Sequence, residues 1–204
     1  QFFENYFAYV PGLRVVAPAV PKDAKGFLKA AIRGNDPVIF IEHSLIYRNR
    51  GEVPDGEDFV LPLEGAEVRR EGRDVTIVSW LRGYYLALGA AEELAREGIE
   101  CEVIDLRVLR PLDIETIVRS VQKTNRLVIV EEGWKSFGVG AEIAASVQER
   151  AIDYLDAPIM RVASVEVPMP YARNLERLVV PNKDKVVEAV REVLYQRTVV
   201  PAAR

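Results

Sequence analysis

The stretch VIVEEGWKSFGVGAEIAASV, from Val128 to Val147, holds the pattern on which the fold depends. Its first residues form a continuous apolar run, which is typical of a strand buried on both faces of a parallel sheet. Gly133, Gly138 and Gly140 follow, and a helical spacing begins after them. A strand, a glycine-rich turn and a helix make the repeating unit of α/β proteins, so the stretch predicts that class.

The glycine-rich turn has two interpretations. Glycines between a strand and a helix can let a pyrophosphate reach the helix N-terminus, or they can serve close packing alone. The dinucleotide pattern needs a third glycine, where Ile143 stands, and an acidic residue about 20 residues later, where the chain reads YLDAPIM. Because these parts are missing, the sequence favours packing over phosphate binding.

Strand-like and helical segments alternate outward from this turn. Strands are predicted at 75–79, 101–106, 127–132 and 159–164, and helices at 84–97, 113–122, 139–150 and 183–195. We therefore expect an α/β fold with a mainly parallel sheet and helices on both faces.

A shorter α/β region precedes this one. Strands are predicted at 13–18 and 38–42 with a helix between them, and the residues from 43 to 64 form a loop rich in Gly, Pro and Asp. We place a domain boundary near Pro62. Residues 1–62 are then the end of a second α/β domain plus a linker, and residues 63–204 are the main domain.

Composition narrows the classes of partner. The chain carries 27 basic and 31 acidic residues without a basic tract, so we expect no nucleic-acid partner. No stretch approaches the roughly 18 apolar residues of a membrane span. Cys101 is the single cysteine, which rules out an internal disulfide and suits a reducing compartment. His43 is the single histidine, so no side-chain constellation for a metal is expected.

Charged residues near predicted strand ends are candidates for chemistry. Glu131 and Glu132 could act in acid–base catalysis or cap the following turn, and the absence of a nearby histidine favours the structural role. His43 lies between Glu42 and Ser44, but neighbours on an extended chain point to different sides and cannot form a triad.

Two arginines lie between a predicted strand and a predicted helix. Arg107 and Arg110 could clamp a carboxylate or phosphate. They could equally pair with Asp105, Asp113 or Glu131.

The helix in SWLRGYYLALGAAEELAREG is more apolar than one buried stripe requires. Such an excess indicates either an interface or a helix covered on both sides within the chain. The candidate interface residues are Trp80, Leu81, Tyr84, Tyr85 and Leu88.

Taken in order, several segments closely resemble the β chain of the pyruvate dehydrogenase first component, a 2-oxo acid dehydrogenase β subunit. The resemblance covers about residues 1 to 196. The segments are PGLRVVAP, DAKGFLKAAIRGNDPVIFIEH, CEVIDLRVLRPLDIETIVRSVQKTNRLVIVEEGW, FGVGAEIA, YLDAPIMRVAS and VPMPYARNLE. VPMPYA together with EEGW and FGVGAEI favours the pyruvate enzyme over its branched-chain relatives.

The resemblance implies a domain that binds the aminopyrimidine half of thiamine diphosphate, followed by a transketolase C-terminal-type domain that makes subunit contacts. It implies oxidative decarboxylation of pyruvate with acyl transfer to a lipoyl group. The implied partners are an α chain, which holds the diphosphate and magnesium, and a dihydrolipoyl acyltransferase core. The implied compartment is the cytoplasm, or the mitochondrial matrix in a eukaryote. The resemblance also implies that the segment FGVGAEIA is the closely packed start of a helix.

The resemblance carries over no catalytic or cofactor-binding residue. Gln1 aligns with the glutamine of an HSQ-like motif, so the family's catalytic histidine would lie before Gln1. The glutamate that activates the aminopyrimidine would lie further upstream. We therefore expect these 204 residues to bind no thiamine diphosphate alone.

Two other sets of positions are carried over. AIRGND resembles a loop whose carbonyl groups hold a structural potassium ion, which places Ala31, Ile32, Gly34 and Asp36 in that site. Asp156 matches a position implicated in docking the acyltransferase core, where an acid can pair with basic residues of the partner.

A second hypothesis belongs to a different class. The chain would be a non-catalytic, self-assembling structural module, natural or engineered, derived from such a domain. The departures WLRGYYLALG and Phe2-Phe3 from the family pattern add apolar surface and motivate this alternative.

We predict that the 204-residue chain alone does not decarboxylate pyruvate in the presence of thiamine diphosphate and magnesium, because the family's catalytic histidine lies outside it. Carbon dioxide release from labelled pyruvate measures this. Turnover above that of a protein-free control would contradict the prediction.

Overall fold

A five-stranded sheet forms the centre of the larger part of the fold in the computed structural model, which describes residues 2–56 and 58–195. The strands are β3 (Glu67–Arg70), β4 (Val75–Ser79), β5 (Cys101–Asp105), β7 (Leu127–Trp134) and β8 (Met160–Ser164). Their order in the sheet is β3-β5-β4-β7-β8, and every neighbouring pair is parallel except β3 with β5.

Helices cover both faces of this sheet. Because successive strand residues point to opposite faces, Ile77 and Val78 enter two different cores. The helices are α3 (Leu81–Ala95), α4 (Ile114–Thr124), α5 (Val139–Ala151), α6 (Arg173–Val179) and α7 (Lys183–Val193). One core is closed by α3 and α7, and the other by α4 and α5. The predicted fold class is confirmed.

A smaller sheet has the order β2-β1-β6. Its members are β1 (Arg14–Val16), β2 (Val38–Phe40) and β6 (Val108–Arg110), with β1 parallel to β2 and antiparallel to β6. The helices α1 (Glu4–Ala8) and α2 (Pro21–Arg33) belong to this part. The sequence interpretation treated the residues of β6 as a connection, because three residues carry no periodic signal.

Local signals explain several element boundaries. Asp113 accepts a hydrogen bond from the Thr116 N–H and so caps α4, and Asn125 ends that helix in the left-handed region with φ of 61°. Pro21 opens α2, where its missing N–H has no cost.

Helix α6 was not predicted, because the two prolines before it suggested an irregular segment. None of the helices in the described residues has the length and apolarity to cross a bilayer.

Gly72, in the turn between β3 and β4, has no room for a side chain. A Cβ there would lie 2.2 Å from the backbone carbonyl carbon of Cys101 and 2.2 Å from the Glu102 nitrogen. We expect Gly72→Ala to lower the free energy of unfolding by about 1–3 kcal/mol, because β5 is paired on both sides and cannot move aside without strain.

Gly89 in α3 supplies the matched control. A Cβ at this position meets only the Lys183 side chain at 3.5 Å, an ordinary contact. Gly89→Ala is expected to stabilise the chain by roughly 0.5–1 kcal/mol, because alanine is the better helix former. Urea denaturation followed by circular dichroism compares both variants. Equal midpoints would refute the packing argument.

Candidate functional site

The carboxylate of Glu131 lies at the start of α5, where a dinucleotide-binding protein would hold a phosphate. It accepts a hydrogen bond from the Gly140 N–H at 3.1 Å and one from the Arg161 guanidinium at 2.7 Å. A Cβ on Gly138 or on Gly140 would come within 2.5 Å of this carboxylate. The two glycines therefore make room for an internal anion at the positive end of the helix, as the packing interpretation expects.

Burial sets the protonation behaviour of Glu131. The side chain is 1% exposed, and this burial raises its pKa above the usual value. The hydrogen bonds from Arg161 and Gly140 act in the opposite direction without cancelling the effect of burial. Arg161 comes from β8, so the interaction also fixes the edge strand against the turn.

The neighbouring Glu132 joins the two parts of the fold. His43 Nε2 lies 3.0 Å from its Oε2, and the Arg82 guanidinium donates to its other oxygen. Burial alone would raise the pKa of Glu132, but the contacts with His43 and Arg82 lower it below the usual value. This carboxylate therefore stays ionised between two donors from different elements.

Both ring nitrogens of His43 are occupied. Its Nδ1 accepts the Leu45 N–H at 3.2 Å while Nε2 faces Glu132, and the Phe2 ring stacks over it at 6.5 Å between centroids. The two ring nitrogens of His43 thus hold a turn and a carboxylate in place, which is a structural role. The sequence analysis assumed that no histidine lies near Glu131 and Glu132, and the contact of His43 with Glu132 corrects that assumption.

A third acid, Glu4, is buried near this pair. The Trp80 Nε1–H donates to its Oε1 at 3.3 Å. Burial raises the pKa of Glu4, and the nearby Glu131 and Glu132 raise it further. Three acidic side chains from α1 and β7 thus converge where the two parts of the fold meet.

A cleft of about 810 Å³ opens beside these acids. Its lining includes Phe2, Phe40 and His43 from the smaller part of the fold. It also includes Arg82 from α3 and Arg173 from α6. The cleft is therefore the concave site that both parts of the chain build together.

The two predicted clamp arginines do not converge on one position. Arg107 donates to Glu67 at 2.7 Å and to the Gly65 carbonyl, whereas Arg110 donates to the Ala8 carbonyl at 2.8 Å. Arg110 therefore ties residues 63–204 to α1, whereas these contacts of Arg107 stay within residues 63–204. The structure therefore favours the pairing interpretation, with Glu67 as a partner that the sequence did not suggest.

The candidate interface residues lie mostly inside the chain. Trp80, Leu81 and Tyr84 are buried, with exposures of 3%, 4% and 7%. Tyr85 and Leu88 are partly buried against the core that contains Tyr84, whereas Trp80 and Leu81 belong to the core on the other face of the sheet. The Tyr85 hydroxyl donates to the Ala19 carbonyl at 2.9 Å. These positions agree with the alternative of a helix covered on both sides. Self-association through this face stays a prediction.

The candidate potassium residues surround the C-terminus of α2. Ala31 and Ile32 lie in its last turn, and Gly34 is the C-cap residue. The last carbonyls of a helix lack intrahelical donors, so their chemistry fits a monovalent cation. The Asp36 side chain is paired with Arg14 at 2.7 Å, and its carbonyl group is the ion ligand that the resemblance implies.

The candidate docking residue Asp156 is partly engaged. Its carboxylate lies 3.3 Å from the Arg126 guanidinium, and its side chain remains 58% exposed. An external cation can therefore still approach it.

Residues 2–56 and 58–195 offer few side chains that could bind a metal ion or react as a thiol. No group of three or more His, Cys, Asp or Glu side chains is arranged there to hold a metal ion. Burial raises the pKa of Cys101 to about 12, so its thiol is protonated at neutral pH.

The sequence interpretation missed Arg82 and Arg161, the cations that pair with the buried acids. Arg161 lies inside an otherwise apolar strand, and a charge at such a position usually has a buried partner. That signal could have identified it. Arg82 in the first turn of α3 gave no comparable signal.

The fold is that of a transketolase-type α/β protein. A solved structure described as a split-gene transketolase, inactive β4 tetramer, aligns with a TM-score of 0.74 and 28% sequence identity. The alignment covers 96% of this chain and 61% of that one.

Family models give the more specific assignment. Residues 64–186 match the transketolase C-terminal domain, and residues 1–50 match the transketolase pyrimidine binding domain. The chain belongs to the transketolase C-terminal domain family.

Curated relatives include β subunits of the pyruvate dehydrogenase E1 component. The Rhizobium meliloti (strain 1021) subunit is 50% identical over 196 residues, which cover 96% of this chain and 43% of that subunit. The mitochondrial beta-1 subunit of Arabidopsis thaliana is 50% identical over 199 residues, with coverages of 96% and 55%. The Dictyostelium discoideum subunit is 48% identical over 196 residues, with coverages of 95% and 55%.

These matches confirm the resemblance found in the sequence. The chain spans about half the length of the curated relatives, between 43% and 55% for the three named.

We predict that Glu131→Ala lowers the free energy of unfolding by about 3–5 kcal/mol. The change leaves the Arg161 guanidinium in place without its carboxylate and removes the acceptor of the Gly140 N–H. Glu131→Gln should cost less, because an amide oxygen can still accept one of these bonds. Urea denaturation measures both variants.

Glu142→Ala is the matched control, because Glu142 lies exposed in the first turn of the same helix. Its effect should stay within about 0.5 kcal/mol. If Glu131→Ala were as mild as this control, the carboxylate would not be the anion that holds the turn.

Proposed function

We propose that residues 1–196 act as the C-terminal part of a β subunit of a thiamine-diphosphate-dependent pyruvate dehydrogenase. The enzyme would catalyse oxidative decarboxylation of pyruvate and transfer the acyl unit to a lipoyl group. The observation that carries this proposal is identity of about 50% to such subunits over nearly the whole chain, in both bacterial and eukaryotic relatives.

Within that enzyme, this portion would serve subunit assembly and docking. Residues 1–62 would be the end of the pyrimidine-binding domain with its linker, and residues 63–204 the transketolase C-terminal-type domain. The matches at 1–50 and 64–186 support a division in the intervening segment. The side chains of the acids at the junction already have protein partners, which supports a structural role for them.

Thiamine diphosphate would supply the carbanion-stabilising chemistry when bound to the complete enzyme. The pyrimidine half would lie in the domain to which residues 1–50 belong. The resemblance implies that the α chain would hold the diphosphate and magnesium. In this chain Glu131 fills the one glycine-rich helix start that the sequence suggested as a phosphate site, which is compatible with that division.

A structural potassium ion is proposed at the carbonyl groups of Ala31, Ile32, Gly34 and Asp36. The support is chemical, since carbonyl oxygens at a helix C-terminus carry partial negative charge. An ion there would stabilise the end of α2 and the turn into β2.

Three partners are proposed: the α chain, the dihydrolipoyl acyltransferase core and further copies of the same chain. Exposed apolar side chains on α6 and just before it support a large interface, because isolated domains rarely display such a group together. These side chains are Tyr171, Leu175 and Leu178. For self-association, we propose Tyr85 and Leu88, the residues of the sequence-predicted set that are only partly buried; Trp80, Leu81 and Tyr84 are buried within the chain.

The proposed compartment is the cytoplasm for a bacterial source and the mitochondrial matrix for a eukaryotic one. Relatives of both kinds support this pair of assignments.

One observation favours the second hypothesis, a self-assembling structural module. The similar solved structure is described as an inactive β4 tetramer, so a transketolase-type chain can assemble without activity.

A chimera separates the two hypotheses. Residues 1–196 would replace the matching segment of the Rhizobium meliloti β subunit, which would be coexpressed with its α subunit. We expect pyruvate-dependent reduction of an artificial electron acceptor within about tenfold of the parent enzyme, or about 1.4 kcal/mol in the activation barrier.

The parent enzyme and the α subunit alone are the controls for this experiment. A chimera of the parent's size without turnover would contradict the enzyme-subunit proposal and support the structural module.

For docking, we predict that Asp156→Asn weakens binding to the acyltransferase core by roughly fivefold, since one exposed ion pair contributes at most about 1 kcal/mol. Calorimetry at low and high salt measures the effect, which should shrink as salt screens the pair. Asp153→Asn is the control, because Asp153 is an exposed acid of the same turn. Equal affinities for both variants would reject Asp156 as a docking residue.

A further inference from the structure

Five charged side chains are packed together where α2 meets the edge of the five-stranded sheet. We name this group the ionic joint; it consists of Asp23, Glu67, Arg69, Asp105 and Arg107. The side chains of Asp23 and Asp105 have no exposed area, and those of Arg69 and Arg107 are 12% and 13% exposed. The joint therefore links the two parts of the fold through charges that are largely removed from water.

The contacts within the ionic joint are uneven. Arg69 donates to Asp23 through a short hydrogen bond and to Glu67 at 2.7 Å. Arg107 donates to Glu67 at 2.7 Å and lies 3.6 Å from Asp23. Asp105 receives longer contacts, 3.3 Å from the Arg107 N–H and 3.4 Å from Arg69. It is therefore the most weakly paired acid of the group.

The charges of the ionic joint do not balance when every group is ionised. Three carboxylates face two guanidinium groups, which leaves one negative charge in excess. An unpaired buried charge is unfavourable, and a carboxyl group in that position binds a proton instead. Asp23 Oδ1 and Arg69 Nε also lack hydrogen-bond partners among the described residues.

We propose that Asp105 holds one proton near neutral pH, next to the ionised Asp23, and that loss of this proton loosens the ionic joint between α2 and the five-stranded sheet. The protonated joint has two negative and two positive charges. Deprotonation adds a second buried carboxylate beside Asp23, and no further cation of the joint is there to neutralise it.

The groups that face Asp105 come from every neighbouring element. Arg69 and Glu67 belong to β3, Asp23 to α2, Arg107 to the segment after β5 and Tyr84 to α3. Burial raises the pKa of Asp105 to about 7; Asp23 adds to the rise, while Arg69 and Arg107 oppose it.

The sign of the pH dependence follows from this shift. Between the ordinary value of 3.8 and about 7, the folded chain binds a proton that the unfolded chain does not. Stability from this group is therefore greatest in acid and decreases as the pH rises to about 7. The unfolding equilibrium constant should increase by up to about tenfold per pH unit across this window.

Equilibrium unfolding in urea tests the proposal on the 204-residue chain. Wild type and Asp105→Asn would be compared from about pH 5 to about pH 8, with Asp153→Asn as an exposed control of equal charge change. We expect the ratio of their unfolding constants, wild type over Asp105→Asn, to rise by up to about tenfold per pH unit below pH 7 and to level off above it. Asp153→Asn should follow wild type throughout.

Hydrogen exchange locates the effect. Protection factors of α2 amides should fall between about pH 5 and about pH 7 in wild type and level off above that, but not change in Asp105→Asn, while those of α4 amides stay unchanged. A proton lost elsewhere in the chain would not produce this local difference.

Asp23→Asn is the second variant, in case Asp105→Asn fails to fold. Removing the neighbouring negative charge should let Asp105 lose its proton at lower pH, so the pH-dependent window should move toward acid. The proposal is overturned if Asp105→Asn and wild type have parallel pH profiles, if α2 protection does not change with pH in wild type, or if Asp23→Asn leaves the window in place.

Discussion

The antiparallel pairing of β1 with β6 decides how the two parts of the chain are assembled. β6 follows directly after β5 of the larger sheet, yet it pairs with β1 of the smaller one, at Val15 with Arg110 and Val16 with Val108. The Ala17 N–H extends the pairing by donating to the Arg107 carbonyl at 2.7 Å. Backbone hydrogen bonds therefore cross the junction, and the parts cannot separate without exposing unpaired N–H and C=O groups.

This crossing needs a sharp change of direction after β5, and Arg107 provides it. Its backbone lies in the left-handed region with φ of 57°, a conformation that L-residues rarely adopt. The side chain is held over the Phe27 ring at 5.6 Å and by the Gly65 carbonyl. One residue thus turns the chain, covers an aromatic of α2 and supplies a cation to the ionic joint.

Regular elements of the larger sheet could be predicted from sequence, because their apolar runs are long and continuous. The strand at 75–79 has such a run, and the helix that begins after Asp113 has a capping residue as its local signal. The pairing of Asp23 with Arg69 could not be predicted, since 46 residues separate them and neither lies in a diagnostic pattern. The aromatic excess in α3 left two interpretations open, because periodicity does not reveal that Tyr85 meets Ala19 of the smaller part.

The junction also shows how the glycine-rich turn at 138–140 meets its preference for an anion within the chain. A helix N-terminus attracts negative charge, and the chain satisfies that preference with its own Glu131. An internal carboxylate binds there without the loss of translational freedom that a free phosphate would undergo. The adjacent Glu132 reaches His43 across the junction, so the same strand end stabilises both a helix start and the contact between the two parts. Polar groups at a strand end, which usually indicate a ligand site in α/β proteins, here pair with other groups of the same chain.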